Sequence, residues 1–233
     1  MLSAREALWR LPSLQVKEGL WLLAATFGVA VALGECYAAA AIWLAPPWLA
    51  ALGINGLLGA FVLVWHVKRG DAKLYSPVAL RWFTPPLVLL GLCGCLAWMS
   101  RQMVAVAPVA AVVSQSISVP WAWLVCVPIA EELVFRAGIG QILARLAPRL
   151  WAAWFSAAIF ALAHAQPTVS HFVAGQVGLA VGPFLLGLAC EALVAASGSI
   201  LPGILLHAAC NATVVVFQTV DARWLEWLKF LYL

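Results

Sequence analysis

Apolar runs dominate the chain, interrupted at few places by charge, proline or serine–glycine. Residues 19–44 form the first run, carrying only Glu35 as a charge and ending at Pro46-Pro47. A second covers about 49–67 and stops at the basic loop Lys68-Arg69-Gly70-Asp71-Ala72-Lys73. A third covers about 82–100 and stops at Arg101. Residues 103–118, broken by Pro108 and Ser114-Gln115-Ser116, read as a loop or surface segment. Four further runs begin near Val119, Leu150, Gln176 and Ile200, and the last two are separated by Ser197-Gly198-Ser199, with Ser199 a helix N-cap. At ~1.5 Å per residue such runs match a hydrocarbon core of ~30 Å. The pattern predicts an all-α, polytopic transmembrane helix bundle of about seven to eight spans. Residues 1–18, with Trp9, Leu11 and Leu14, read as an amphipathic lead-in. Trp224, Trp227, Leu228 and Leu231 recur at helical spacing, so 221–233 reads as an interfacial helix.

Composition sharpens this. Hydrophobic residues are 65% of 233 and charged residues 9%, against ~25% charged in soluble chains, which excludes a soluble enzyme. The net charge of +4 gathers between apolar runs, where it sets topology rather than forming a nucleic-acid patch. Most Lys and Arg fall in the N-terminus, the 68–81 loop and the Arg136–Arg149 connection, which places the N-terminus in the cytoplasm. The N-terminal charges are spread, and the apolar run after them is too long for a cleavable signal, so the first span is retained. All six cysteines lie in apolar segments and imply no disulfide framework. Cys93 and Cys95 lack a second pair to complete a zinc site.

Against this background Glu131-Glu132-Leu133-Val134-Phe135-Arg136 stands out, because it follows a run from Met103 to Ala130 without one charged residue. Charges within a membrane are paired or functional. On a helix Glu132 and Arg136 are i and i+4 and pair, while Glu131 points ~100° away with no local cation. His164, His207 and Asn211 are further polar residues in late spans, the last two at i and i+4. Counted at ~1.5 Å per residue, Glu131, His164 and His207 lie about 18, 22 and 12 Å from their span ends. These depths differ by around 10 Å in a ~30 Å core, a mismatch that tilt or misplaced span boundaries can absorb. A carboxylate in apolar surroundings suits a general base, a histidine beside it helps hold water, and a second histidine with an amide suits an oxyanion site.

Glu131-Glu132-x-x-x-Arg136, Phe160-x-x-x-His164 and His207-x-x-x-Asn211 resemble, in order and spacing, the motifs of the CAAX-protease and bacteriocin-processing (CPBP, ABI-like) membrane family, which includes the type II CAAX prenyl endopeptidase. The resemblance covers about 119–220, with Gly187 to Ser199 as a weaker segment, and leaves 1–118 as a region of about three spans without a usable motif. It implies a glutamic-type intramembrane endopeptidase with no catalytic metal and no cofactor. By position, Glu131 would be the base assisted by His164, and His207 with Asn211 the oxyanion site. Glu132 and Arg136 would be supporting. Partners would be the lipid bilayer and a membrane protein or peptide substrate: a prenylated C-terminus, a bacteriocin leader or a C-terminal sorting tail.

Three rivals use the same residues differently. A zinc protease would take Glu131, His164 and His207 as ligands, although no His-Glu-x-x-His helix is present. A rhomboid-type serine protease would use Ser197, which lacks the glycine two residues earlier. A proton-coupled carrier or peptide-binding scaffold would use Glu35, Glu191 and the histidines as a relay. Glu35 and Glu191 match no motif and read as interior partners for Arg101 or a histidine. His66 and His171, near span ends, read as interfacial.

Overall fold

The computed structural model describes residues 16–43, 47–88, 91–92, 121–165, 168–174 and 180–219. The expected amphipathic lead-in, the polar-broken 103–118 segment, most of the third run and the C-terminal interfacial helix lie outside these. Every long element among the described residues is helical, with no strand: α1 (Val16–Ala41), α2 (Pro47–Arg69), α3 (Trp121–Glu132), a π-helical segment (Leu133–Gly140), α4 (Gln141–Leu146), α5 (Arg149–His164), the short α6 (Val169–Val173), α7 (Val181–Ser197) and α8 (Leu201–Thr219). Two 3-10 turns, Ala72–Tyr75 and Leu80–Phe83, follow α2.

Two of these, Lys17–Ala41 and Leu49–Arg69, are long and apolar enough to cross a membrane, and Val181–Ser197 is a shorter apolar helix. Their outer faces leave Leu20, Trp21, Leu57, Phe61 and Val67 exposed. In water a contiguous apolar surface of this kind is rare, whereas lipid is its natural surround. The interior is made instead of small and aromatic residues. Phe135 and Phe160 are edge-to-face at 5.0 Å within a core that takes Leu33 and Tyr37 from α1 and Ile159 and Ala163 from α5. The most extensive packing is of α5 on α7. Helix α1 also lies on α5, and α2 lies on α3 and the π-helical segment.

Helix α2 runs alongside α3 in the same direction. A methyl at Gly59 would meet Leu133 Cβ at 3.1 Å and the Ala130 carbonyl at 3.3 Å, so the bare backbone permits this approach. One turn before the end of α2, His66 is buried and its Nε2 lies 2.9 Å from the carbonyl of Ala137. Its Nδ1 lies 3.4 Å from Asp71. The ring of His66, expected at the interface, turns inward on the protein and donates to a carbonyl of the π-helical segment. The side chain of His171 lies outside the described set.

Glycine closes α7: Gly198, at φ 74°, accepts the left-handed conformation that ends it. Ser197 Oγ turns back on its own helix, donating to the Leu193 carbonyl at 2.6 Å. Ser199 Oγ accepts from Leu201 N–H at 3.3 Å, as expected of the residue that starts α8. Ser199 is fully buried, and Ile200 N–H donates to the Leu74 carbonyl at 2.9 Å. Helix α8 therefore begins inside the protein, under the loop that follows α2.

Candidate active site

The Glu-Glu pair sits where α3 passes into the π-helical segment. Glu131 and Glu132 are 7% and 0% exposed, and Arg136 is 0% exposed. Such i→i+5 windings are rare and concentrate at functional sites. Pro128, one turn before the pair, has already removed one bond from the ladder. The two carboxylates then diverge. Glu132 turns inward, with Oε2 at 3.2 Å from Arg136 Nε and Oε1 at 3.1 Å from His207 Nδ1. The approach to Arg136 is an ion pair without hydrogen-bond angles. Glu132 Oε2 and the three guanidinium nitrogens are consequently buried with no hydrogen-bond partner among the described residues.

Glu131 meets the opposite edge of the same His207 ring and also reaches the end of α5. Its Oε2 lies 3.9 Å from His164 Nε2 and 3.5 Å from His207 Nε2. Three of the residues singled out by sequence thus meet at one carboxylate, drawn from α3, α5 and α8. The remaining one, Asn211, is one turn beyond His207 on α8 and half-buried. The meeting of Glu131, His164 and His207 shows that the ~10 Å depth mismatch counted along the chain does not keep them apart.

Hydrogen-bond chemistry fixes what each ring presents. A carbonyl only accepts, so His164 Nδ1–H donates to Phe160 O at 2.9 Å, and in the neutral ring Nε2 is a bare acceptor. An ionised carboxylate also only accepts, so His207 Nδ1–H donates to Glu132. Its Nε2 therefore donates only when the ring carries both protons. The two imidazoles are thus held through Nδ1 by different partners, a backbone carbonyl and a carboxylate. The side chain of His164 is 35% exposed against 2% for His207, so the site opens on the His164 side.

Phe160 is the residue whose role the motif alone did not reveal. Its ring touches His164 at 4.4 Å and His207 at 5.5 Å, and the Arg136 guanidinium lies 4.6 Å above it. Phe160 thus separates the two histidines and covers Arg136 through a cation–π contact. The signal was its i−4 position before His164. Gly203 was also missed. It stands one turn before His207, and a methyl there would lie 3.2 Å from Glu132 Oε2. Cys190 Sγ donates to the Gly203 carbonyl at 3.6 Å.

The two unassigned glutamates have neighbours among the described residues. Exposed Glu35 accepts from Val169 N–H at 2.7 Å, fastening α1 to the start of α6 just past His164. Glu191 reaches the π-helical segment at Gly140. Arg101 lies outside the described residues. Among the described residues no three His, Cys, Asp or Glu side chains are grouped as a metal ion requires.

With this geometry in hand, residues 113–213 match the family model described as "Type II CAAX prenyl endopeptidase Rce1-like". Over those residues the chain is similar to the Rce1-like family. That family is one of membrane proteases, which makes peptidase the supported class of activity and the membrane the supported location. The matched segment contains every candidate site residue, from Glu131 to Asn211, whereas α1 and α2 lie outside it. No curated protein and no solved structure matches the chain.

Proposed function

We propose that the chain is a metal-independent, glutamic-type intramembrane endopeptidase. The reading rests on one observation above all: a single buried carboxylate, Glu131, lies within 3.9 Å of both His164 Nε2 and His207 Nε2. Glu131 Oε2 and neutral His164 Nε2 are both acceptors, and a water donating one hydrogen to each at ~2.8 Å fits between acceptors so spaced. Glu131 takes a proton from that water as the oxygen attacks the scissile carbonyl. The carbonyl oxygen becomes an oxyanion, received by Nε2–H of doubly protonated His207 and by the Asn211 amide. Collapse of the adduct breaks the C–N bond, and Glu131 returns its proton to the leaving amine. Glu132, held by Arg136, orients the His207 ring through Nδ1.

The substrate is a peptide bond of a membrane-associated protein or peptide presented from the bilayer: a C-terminal sorting tail, a bacteriocin leader or a CAAX-like end. The membrane is a bacterial inner membrane, with the N-terminus cytoplasmic. The rival zinc hydrolase draws on the fact that Nδ1 of each ring is already held, as it is in many metal-bound histidines. Co-expression with candidate single-span substrates, followed by mass spectrometry of their new termini, tests the proposal. A defined cut made by the wild type and absent with Glu131→Gln supports it. Cutting that persists with Glu131→Gln overturns the base assignment, and cutting lost on chelation and restored by zinc favours the rival.

A further inference from the structure

Glu132, Arg136 and Gly140 are spaced four apart and form one stripe along the end of α3 and the π-helical segment. The first two carry opposite charges. The third has no side chain, and the space over it is taken by a carboxylate from another helix: Glu191 of α7. A methyl on Gly140 would lie 2.6 Å from Glu191 Oε1 and 3.0 Å from the Phe135 carbonyl. Glycine at this position is what lets Glu191 lie against the segment. Ser156 of α5 closes the same corner, donating to the Phe135 carbonyl at 3.2 Å.

The stripe is therefore a ladder of alternating charge, Glu132, Arg136, Glu191, with only its first rung legible in the motif. Two observations place the last rung in use. Arg136 Nη1 and Nη2 are buried with no hydrogen-bond partner among the described residues, and so is Glu191 Oε1. Glu191 lies against Gly140, four residues beyond Arg136, and farther from the guanidinium than the 3.2 Å ion pair with Glu132. A guanidinium presents five donors, and the Glu132 ion pair engages only its Nε side. A buried donor and a buried acceptor in the same stripe, with no direct bond between them, are satisfied through bridging water.

We propose that Glu191 is a positioning residue of the active site: it is the second counter-ion of Arg136, holding the far side of the guanidinium so that Arg136 fixes Glu132 and Glu132 fixes His207. The ladder rests on the peptidase reading only for its last step, from His207 to catalysis. Its charge coupling stands apart from that reading.

The test uses the purified full-length chain, labelled with ¹⁵N at its four histidines. Thermal unfolding is measured for wild type, Glu191→Gln, Arg136→Gln and the double variant. Glu191→Gln is expected to lower Tm in the wild-type background and to raise it with Arg136→Gln, where Glu191 would otherwise be the unpaired charge. The His207 imidazole nitrogen resonances shift in Glu191→Gln while those of His66 stay in place. Once a cleaved substrate is in hand, kcat falls about 10-fold to 100-fold with KM unchanged. Should Glu191→Gln not fold, Glu191→Asp, which retains the charge one methylene further back, is expected to show a smaller His207 shift of the same sign. Additive Tm changes, or unmoved His207 resonances, overturn the proposal. Coupling and shift in a protein that cleaves nothing would leave the ladder standing and remove the peptidase reading instead.

Discussion

Glu131 and Glu132 are neighbours in sequence, yet their substitution by glutamine should have opposite effects. Glu132→Gln keeps the shape of the side chain and removes its charge, leaving Arg136, which is 0% exposed, with its nearest counter-ion gone. Breaking one side of a buried pair costs about 3–5 kcal/mol. In a chain of 233 residues each kcal/mol corresponds to about 2–4 °C, so Tm should fall by about 10 °C. Glu131 forms no pair with Arg or Lys among the described residues and faces only two imidazoles. Glu131→Gln should move Tm by about 3 °C or less, while lowering kcat by about 10²-fold to 10⁴-fold as the general base is lost. Both quantities come from the same detergent-purified samples: unfolding by intrinsic fluorescence of the 13 tryptophans, and cleavage by mass spectrometry. Equal melting of Glu132→Gln and wild type, or equal destabilisation by both variants, would refute the division of labour between the two carboxylates.

Other outcomes follow from the same geometry. His164→Ala and His207→Ala should each abolish detectable cleavage, with Asn211→Ala retaining more activity than either, measured on one substrate side by side. Cleavage should survive o-phenanthroline and added EDTA, and loss restored by zinc would replace the glutamic mechanism with a metal one. Gly203→Ala puts a methyl 3.2 Å from Glu132 Oε2. The carboxylate must shift away from it, so kcat should fall about tenfold with a smaller change in Tm than Glu132→Gln. Ser197→Ala should cleave at the wild-type rate, since the hydroxyl is spent on the Leu193 carbonyl at the end of α7.

Periodicity carried some of this site and not the rest. The Glu132–Arg136 pair was legible because helical spacing alone brings i and i+4 together, and that local rule survives in any surroundings. The meeting of Glu131 with two histidines was legible as chemistry but not as distance. Depth counted along each span left a ~10 Å mismatch, because hydropathy fixes neither the tilt of a helix nor its exact ends. The π-helical winding of Leu133–Gly140 was invisible for a related reason: its apolar pattern is read equally well by an α-helix. His66 lay at the end of an apolar run and so read as interfacial, whereas its partner is a carbonyl 71 residues away. Glu35 and Glu191 were flagged only as charges without a reason. The groups they lie against, the Val169 amide and the bare backbone of Gly140, are long-range and carry no chemical label in a sequence.

The bond from His66 to the Ala137 carbonyl has a practical corollary. It crosses the boundary of the Rce1-like segment, tying a helix outside residues 113–213 to the winding that carries Arg136. The segment is therefore not a cassette to be transplanted between hosts. A chimera that imports it without its own α2 would leave that carbonyl unanswered and set a foreign side chain where Gly59 admits close backbone contact. Grafts should be cut upstream of Pro47, so that donor and recipient exchange both sides of the seam.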